Sequence, residues 1–196
     1  LNDQDPPAPE FGGVALRGGW EVGELRDLHQ VGPSARVTDV LPLPDGRCNL
    51  AATGERRFLV EQLDAGSRPY LVGTVRWLDE PDGPWSADLM FKTRRALRSY
   101  QEALSVLDVA ALDPEQTDDI SVDSLPRAGA ADEEMARAVS YLVARQPWLP
   151  LADRQRLLAS PDTAARLQEA RTVLRRETEL VSQLQAVPVT AAAFRN

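Results

Sequence analysis

Between residue 11 and about residue 80, apolar and polar positions alternate in short runs, with turn residues every eight to twelve positions. That period predicts short strands of a sandwich or barrel. Residues 12–16 form a first apolar run. In residues 35–43, strict alternation puts Ala35, Val37, Asp39 and Leu41 on one face and Arg36, Thr38, Val40 and Pro42 on the other. Pro44, Asp45 and Gly46 supply a turn. Residues 48–53 and 57–63 follow, joined at Gly54–Glu55, and residues 70–78 give a last run; Phe58 in the second of these three and Trp77 in the last are expected in the core. Pro81, Asp82, Gly83 and Pro84 end the sheet, because proline cannot donate to a ladder.

From Ser86 the period becomes helical. Met90, Leu97 and Leu104 lie seven apart, with Thr93, Tyr100 and Leu107 between them, which predicts an amphipathic helix over residues 86–108 with Ser86 as its cap. Residues 113–130 read as a polar loop. A second helix is expected from Asp132 to Gln146 and a short third one over residues 151–158. Ser160, Pro161 and Asp162 have the composition of a helix start, with serine as the cap. The last helix then runs to about Gln185, with Glu177 interrupting its apolar stripe, so packing on other helices fits better than a sustained coiled coil. The tail of residues 188–196 is expected to fray.

Composition narrows the function. With 43% hydrophobic and 27% charged residues in 196, the chain can build a core. Its net charge is −8, from 30 acidic and 22 basic residues. A nucleic-acid surface usually needs a basic excess, so charge disfavours that partner. Cys48 and His29 are the only residues of their kinds, so no internal disulfide and no Cys/His zinc set can be built. Cys48 lies in an apolar-rich stretch and is expected as a buried structural thiol. Lys92 is the one lysine, and it sits in no phosphate-binding glycine loop. No metal and no cofactor is expected. No apolar run approaches the roughly 20 residues that span a bilayer, and no signal peptide is seen. A cytoplasmic protein away from membranes is the expectation.

Two sets of motifs then resemble the Lon protease N-terminal (substrate-binding) domain family. The first set is Phe11-Gly12-Gly13-Val14-Ala15-Leu16, Val31-Gly32, Leu43-Pro44-Asp45-Gly46-Arg47, Gly54-Glu55-Arg56-Arg57-Phe58 and Pro69-Tyr70-Leu71. The second is Asp153-Arg154-Gln155-Arg156-Leu157-Leu158 followed by the helix that contains Asp162 and Glu177. Their order over residues 11–180 is similar to the family's. The resemblance implies an α+β fold, a PUA-like small β-barrel followed by a C-terminal α-helical bundle. On it, residues 1–10 are a linker, 11–84 the barrel subdomain, 86–187 the helical subdomain and 188–196 a tail. The family's opening strands and helix do not precede Phe11. The expectation is a further N-terminal segment in the native chain or strands from a partner, since open sheet edges are aggregation-prone.

Full Lon proteases add an ATPase module and a Ser-Lys peptidase module, and the residues for neither are found here. With Lys92 in a helix and His29 in a polar segment, a non-catalytic domain is expected. The resemblance implies a domain that binds unfolded or degron-bearing polypeptide and contributes to homo-oligomers. Trp20, Trp85, Phe91 and Trp148 lie outside the obvious core faces and are the candidate polypeptide contacts. Against each stands the plainer reading that an aromatic at a junction packs. Two other functions remain in view: RNA binding, which PUA-like barrels also perform, and an adaptor for a separate protease. The arginine pairs Arg56–Arg57, Arg94–Arg95 and Arg175–Arg176 read as solvated faces.

Overall fold

A computed structural model describes residues 9–17, 28–64, 66, 68, 70–107, 121–122, 125 and 132–184. The chain divides into two compact units, Leu1–Asp79 and Glu80–Asn196. Trp20, most of the loop of residues 113–130, the first eight residues and the tail lie outside the described residues.

The first unit is an antiparallel meander of β1 (Glu10–Gly12), β2 (Val31–Pro42), β3 (Cys48–Asp64) and β4 (Val72–Trp77), in spatial order β1-β2-β3-β4. Among the described residues β1 and β4 are its edges, and no pairing joins them into a barrel. The hairpin between β2 and β3 turns where the sequence predicts. Gly46 takes φ +84°, Asp45 accepts the Arg47 backbone N–H at 3.1 Å, and Leu43 N–H donates to the Arg47 carbonyl at 2.8 Å. Glycine is favoured there because a side chain would strain that φ. Leu28, Phe58 and Val60 are buried, each 3% exposed, and form the centre of the unit. Trp77 meets Phe58 edge-on with ring centroids 6.1 Å apart. It is nevertheless 42% exposed, so it is not the core residue the alternation implies. β4 is an edge strand, and an edge offers a side chain neighbours on one flank only.

The second unit holds α1 (Ala87–Ser105), α2 (Glu133–Ala144), α3 (Leu151–Leu158) and α4 (Thr163–Leu184). Ser86 Oγ accepts from Leu89 N–H at 3.2 Å and Asp132 from Met135 N–H at 2.8 Å, which caps α1 and α2. α4 departs from expectation. Asp162, not Ser160, accepts the Ala165 N–H at 2.7 Å, while the Ser160 hydroxyl donates to the Arg156 carbonyl at 3.2 Å. Leu97, Tyr100, Leu142, Leu157, Val173 and Leu174 build one core cluster, and Met90, Val139 and Leu167 anchor another. Residues 80–84, which the bounds implied by the resemblance include in the barrel subdomain, fall in this compact unit. Pro81 and Asp82 carbonyls accept the Thr163 and Ala164 N–H groups, at 3.1 and 3.0 Å, which satisfies donors that a helix start leaves open.

Candidate functional site

The outer half of the β2–β3 hairpin is a two-stranded ribbon whose faces differ in chemistry. Residues directly opposite on antiparallel strands share a face, and neighbours along a strand alternate. The pairs Val37↔Ala52, Val40↔Leu50 and Pro42↔Cys48 therefore lie on one face, and Arg36↔Thr53, Asp39↔Ala51 and Leu41↔Asn49 on the other. The first face is apolar throughout. Strict alternation separates Val37 from Val40, but a bulge between Val37 and Asp39 lets Thr38 and Asp39 oppose Ala51 together. That extra residue brings Val37 and Val40 to the same side, a correction to the faces expected from the sequence.

This apolar face is open. Val40 is 50% and Leu50 53% exposed, and Cys48, Pro42 and Ala52 are exposed as well. Cys48 is thus not the buried thiol predicted. It sits at the start of β3, on a ribbon with nothing described packed over it, so an apolar neighbourhood in sequence did not mean burial in space. Charges confine themselves to the other face and the tip. The Arg36 guanidinium holds Glu55 at 2.6 Å, and that hydrogen bond and charge raise its pKa. At the tip, the backbone N–H and then the side chain of Arg47 lower the Asp45 pKa.

A second apolar feature of this unit is a groove of about 620 Å³ between the sheet's two edges. Phe11, Leu71, Val75 and Trp77 line it, over Phe58 and Val60. Arg56 stacks on Trp77, its guanidinium carbon 4.4 Å from the ring centroid.

Of the aromatics singled out in the sequence, Trp85, Phe91 and Trp148 are not brought into either feature, and Trp20 lies outside the described residues. Trp85 is half-buried against the Met90 cluster and Trp148 against the Leu97 cluster, both in the helical unit. Phe91 is 43% exposed on α1. The ribbon was missed because its residues, Val40, Leu50 and Ala52, read individually as ordinary strand positions. Among the described residues no cluster of three or more metal-ligating side chains occurs, and no helix is long and apolar enough to cross a membrane.

Residues 7–176 match the family described as the ATP-dependent protease La (LON) substrate-binding domain. The chain belongs to that family. This Lon substrate-binding domain is 29% identical over 161 residues to Lon protease 2 of Herpetosiphon aurantiacus, a match that covers 82% of this chain and 18% of that protein. It is 27% identical over 171 residues to the Lon protease of Methylocella silvestris, covering 86% and 19%. The chain therefore spans less than a fifth of the length of these relatives. Among solved structures it is similar to a Lon N-terminal domain protein from Xanthomonas campestris, at TM-score 0.47 and 18% identity over 83% of this chain and 88% of that one. The motifs that carried the resemblance lie inside the matched residues up to the last helix, which the match leaves at residue 176, one short of Glu177.

Proposed function

We propose that this Lon substrate-binding domain recognises unfolded or degron-bearing polypeptide without catalysing a reaction on it, and that the apolar face of the β2–β3 ribbon is the contact. The observation that carries the reading is that face: Val37, Val40, Pro42, Cys48, Leu50 and Ala52 aligned on one side of a ribbon, all exposed but the half-buried Val37. An exposed apolar patch rimmed by charge is the ordinary mark of a surface that binds other chains. Its size favours a client over a permanent subunit. Six strand positions by two strands give about 20 Å by 10 Å, on the order of 200 Å², against about 800 Å² per partner in a stable dimer. Small apolar contacts of this kind suit brief capture of extended segments.

The groove beside it supports a finer reading of the fold. A further extended strand seated between β1 and β4 would close the sheet into the PUA-like barrel implied by the resemblance, covering Phe11, Leu71, Val75 and Trp77. On this reading the partners are polypeptide clients and a protease module, in the reducing cytoplasm that a single thiol suits.

The test replaces Val40 and Leu50 with serine and titrates each protein against a labelled, permanently unfolded polypeptide. Affinity should fall at least about tenfold, roughly 1.4 kcal/mol, while the melting temperature stays within about 2 °C because both side chains are exposed. Unchanged affinity would remove the ribbon as the contact.

A further inference from the structure

We infer that the helical unit carries a second, electrostatic site: the groove between α1 and α4 binds a short acidic segment of polypeptide. The groove has a volume of about 420 Å³. α1 contributes Lys92, Arg95 and Ser99 to it, and α4 contributes Arg171 and Arg175. These positions follow the three- and four-residue spacing that sets side chains on one helix face.

Concentration of cations here is notable in a chain of net charge −8. Lys92 is held by Asp88 at 2.6 Å, one turn away. Arg95, Arg171 and Arg175 pair with no acid among the described residues. The contrast lies within the same unit, where Arg137, Arg156, Arg166 and Arg176 each hold a carboxylate. Arg171 and Arg175 are also four residues apart on α4, a spacing at which like charges repel. An anion laid along the groove relieves that repulsion, and guanidinium forks match carboxylates in pairs.

The groove's other lining selects the kind of anion. Ala96 and Glu179 also line it, and the Glu179 carboxylate accepts from Gln183 at 3.1 Å. A uniformly charged polyanion would meet Glu179 within a screening length of about 8 Å, where repulsion is felt. A peptide with carboxylates spaced along a neutral backbone can set a neutral residue there. Side chains two apart on an extended segment are about 6.6 Å apart, close to the 6 Å or so that separates Arg171 from Arg175 along the helix axis. The ligand class rests on the polypeptide reading above, but the site is in the other unit and uses charge in place of apolar contact.

The full chain is titrated with a fluorescein-labelled ten-residue peptide of alternating Glu and Ser, followed by anisotropy at low and high salt. Binding at low salt that weakens with salt, falls at least about tenfold in Arg171→Ala/Arg175→Ala and largely returns in Arg171→Lys/Arg175→Lys supports the site. A matched Gln-Ser peptide should not bind, and the Val40→Ser/Leu50→Ser protein should bind the acidic peptide normally. That last arm separates this site from the ribbon, since each can fail alone. No binding at low salt, or equal binding by the alanine variant with its helical circular dichroism intact, overturns the inference. Tighter binding of inorganic tripolyphosphate than of the peptide overturns it as well, in favour of a phosphate site.

Discussion

Arg166 is fully buried inside the helical unit, yet each of its three side-chain nitrogens donates a hydrogen bond. It donates to the Leu157 carbonyl at 3.1 Å, Ser140 Oγ at 3.2 Å and Glu80 at 3.3 Å, and its guanidinium carbon stacks 4.0 Å over the Tyr141 ring. Tyr141 in turn donates to Glu80 at 2.6 Å. Removing one partner of a buried, hydrogen-bonded pair costs far more than forming it gains. Arg166→Met is therefore expected to cost about 3 kcal/mol, read as a fall of several degrees in melting temperature. Tyr100 is the opposite case: its buried hydroxyl has no hydrogen-bond partner among the described residues. Tyr100→Phe should raise stability by about 1 kcal/mol, because an unsatisfied buried group carries its desolvation cost. Burial, and then the charge of Glu177, push the Tyr100 phenol above its ordinary range. The folded protein thus keeps a proton that the unfolded chain releases near pH 10. Stability is whole below that pH and falls as pH rises beyond it. The phenylalanine variant should flatten the alkaline limb of a melting-temperature profile, and an unchanged limb would contradict the assignment.

At the scale of elements, the start of α4 shows how a loop can fix a helix. Gly83 has φ +64°, and a Cβ there would stand 2.6 Å from the Asp162 carboxylate that caps the helix. Gly83→Ala should cost about 2 kcal/mol, from the unfavourable φ and the displaced cap together; a melt within 1 °C of the parent would refute this. The sequence marked this helix start through Ser160, Pro161 and Asp162, but choosing the cap needed geometry. Helix periods were legible throughout, because Met90, Leu97, Tyr100 and Leu104 repeat on one face and all four are buried. Glu177 looked like a break in the stripe of α4, but it is buried beside Arg176 at 2.6 Å, and ion pairing from another residue is invisible to periodicity. The ribbon's apolar face was illegible for a related reason. A bulge adds one residue without any compositional mark, so counting by twos from Val37 misplaces Val40 and Pro42.

For the whole molecule, the unit boundary lies between Asp79 and Glu80. The carboxylates of Glu80 and Asp82 are committed to the helices, Asp82 holding Arg137 at 2.8 Å. A fragment of residues 80–196 should unfold in one cooperative transition, whereas residues 86–196 should melt at least about 5 °C lower, and equal melting would show the segment to be dispensable. Each unit also keeps its own chemistry, an apolar ribbon in one and a cationic groove in the other. In the entire chain there is one thiol, and it lies on the ribbon's open face at Cys48. Nature has thereby left a single attachment point for an environment-sensitive dye beside Leu50 and Val40, with no engineering of the sequence. A maleimide fluorophore coupled there would report on one place only, and its emission should shift to the blue whenever an apolar chain settles over it.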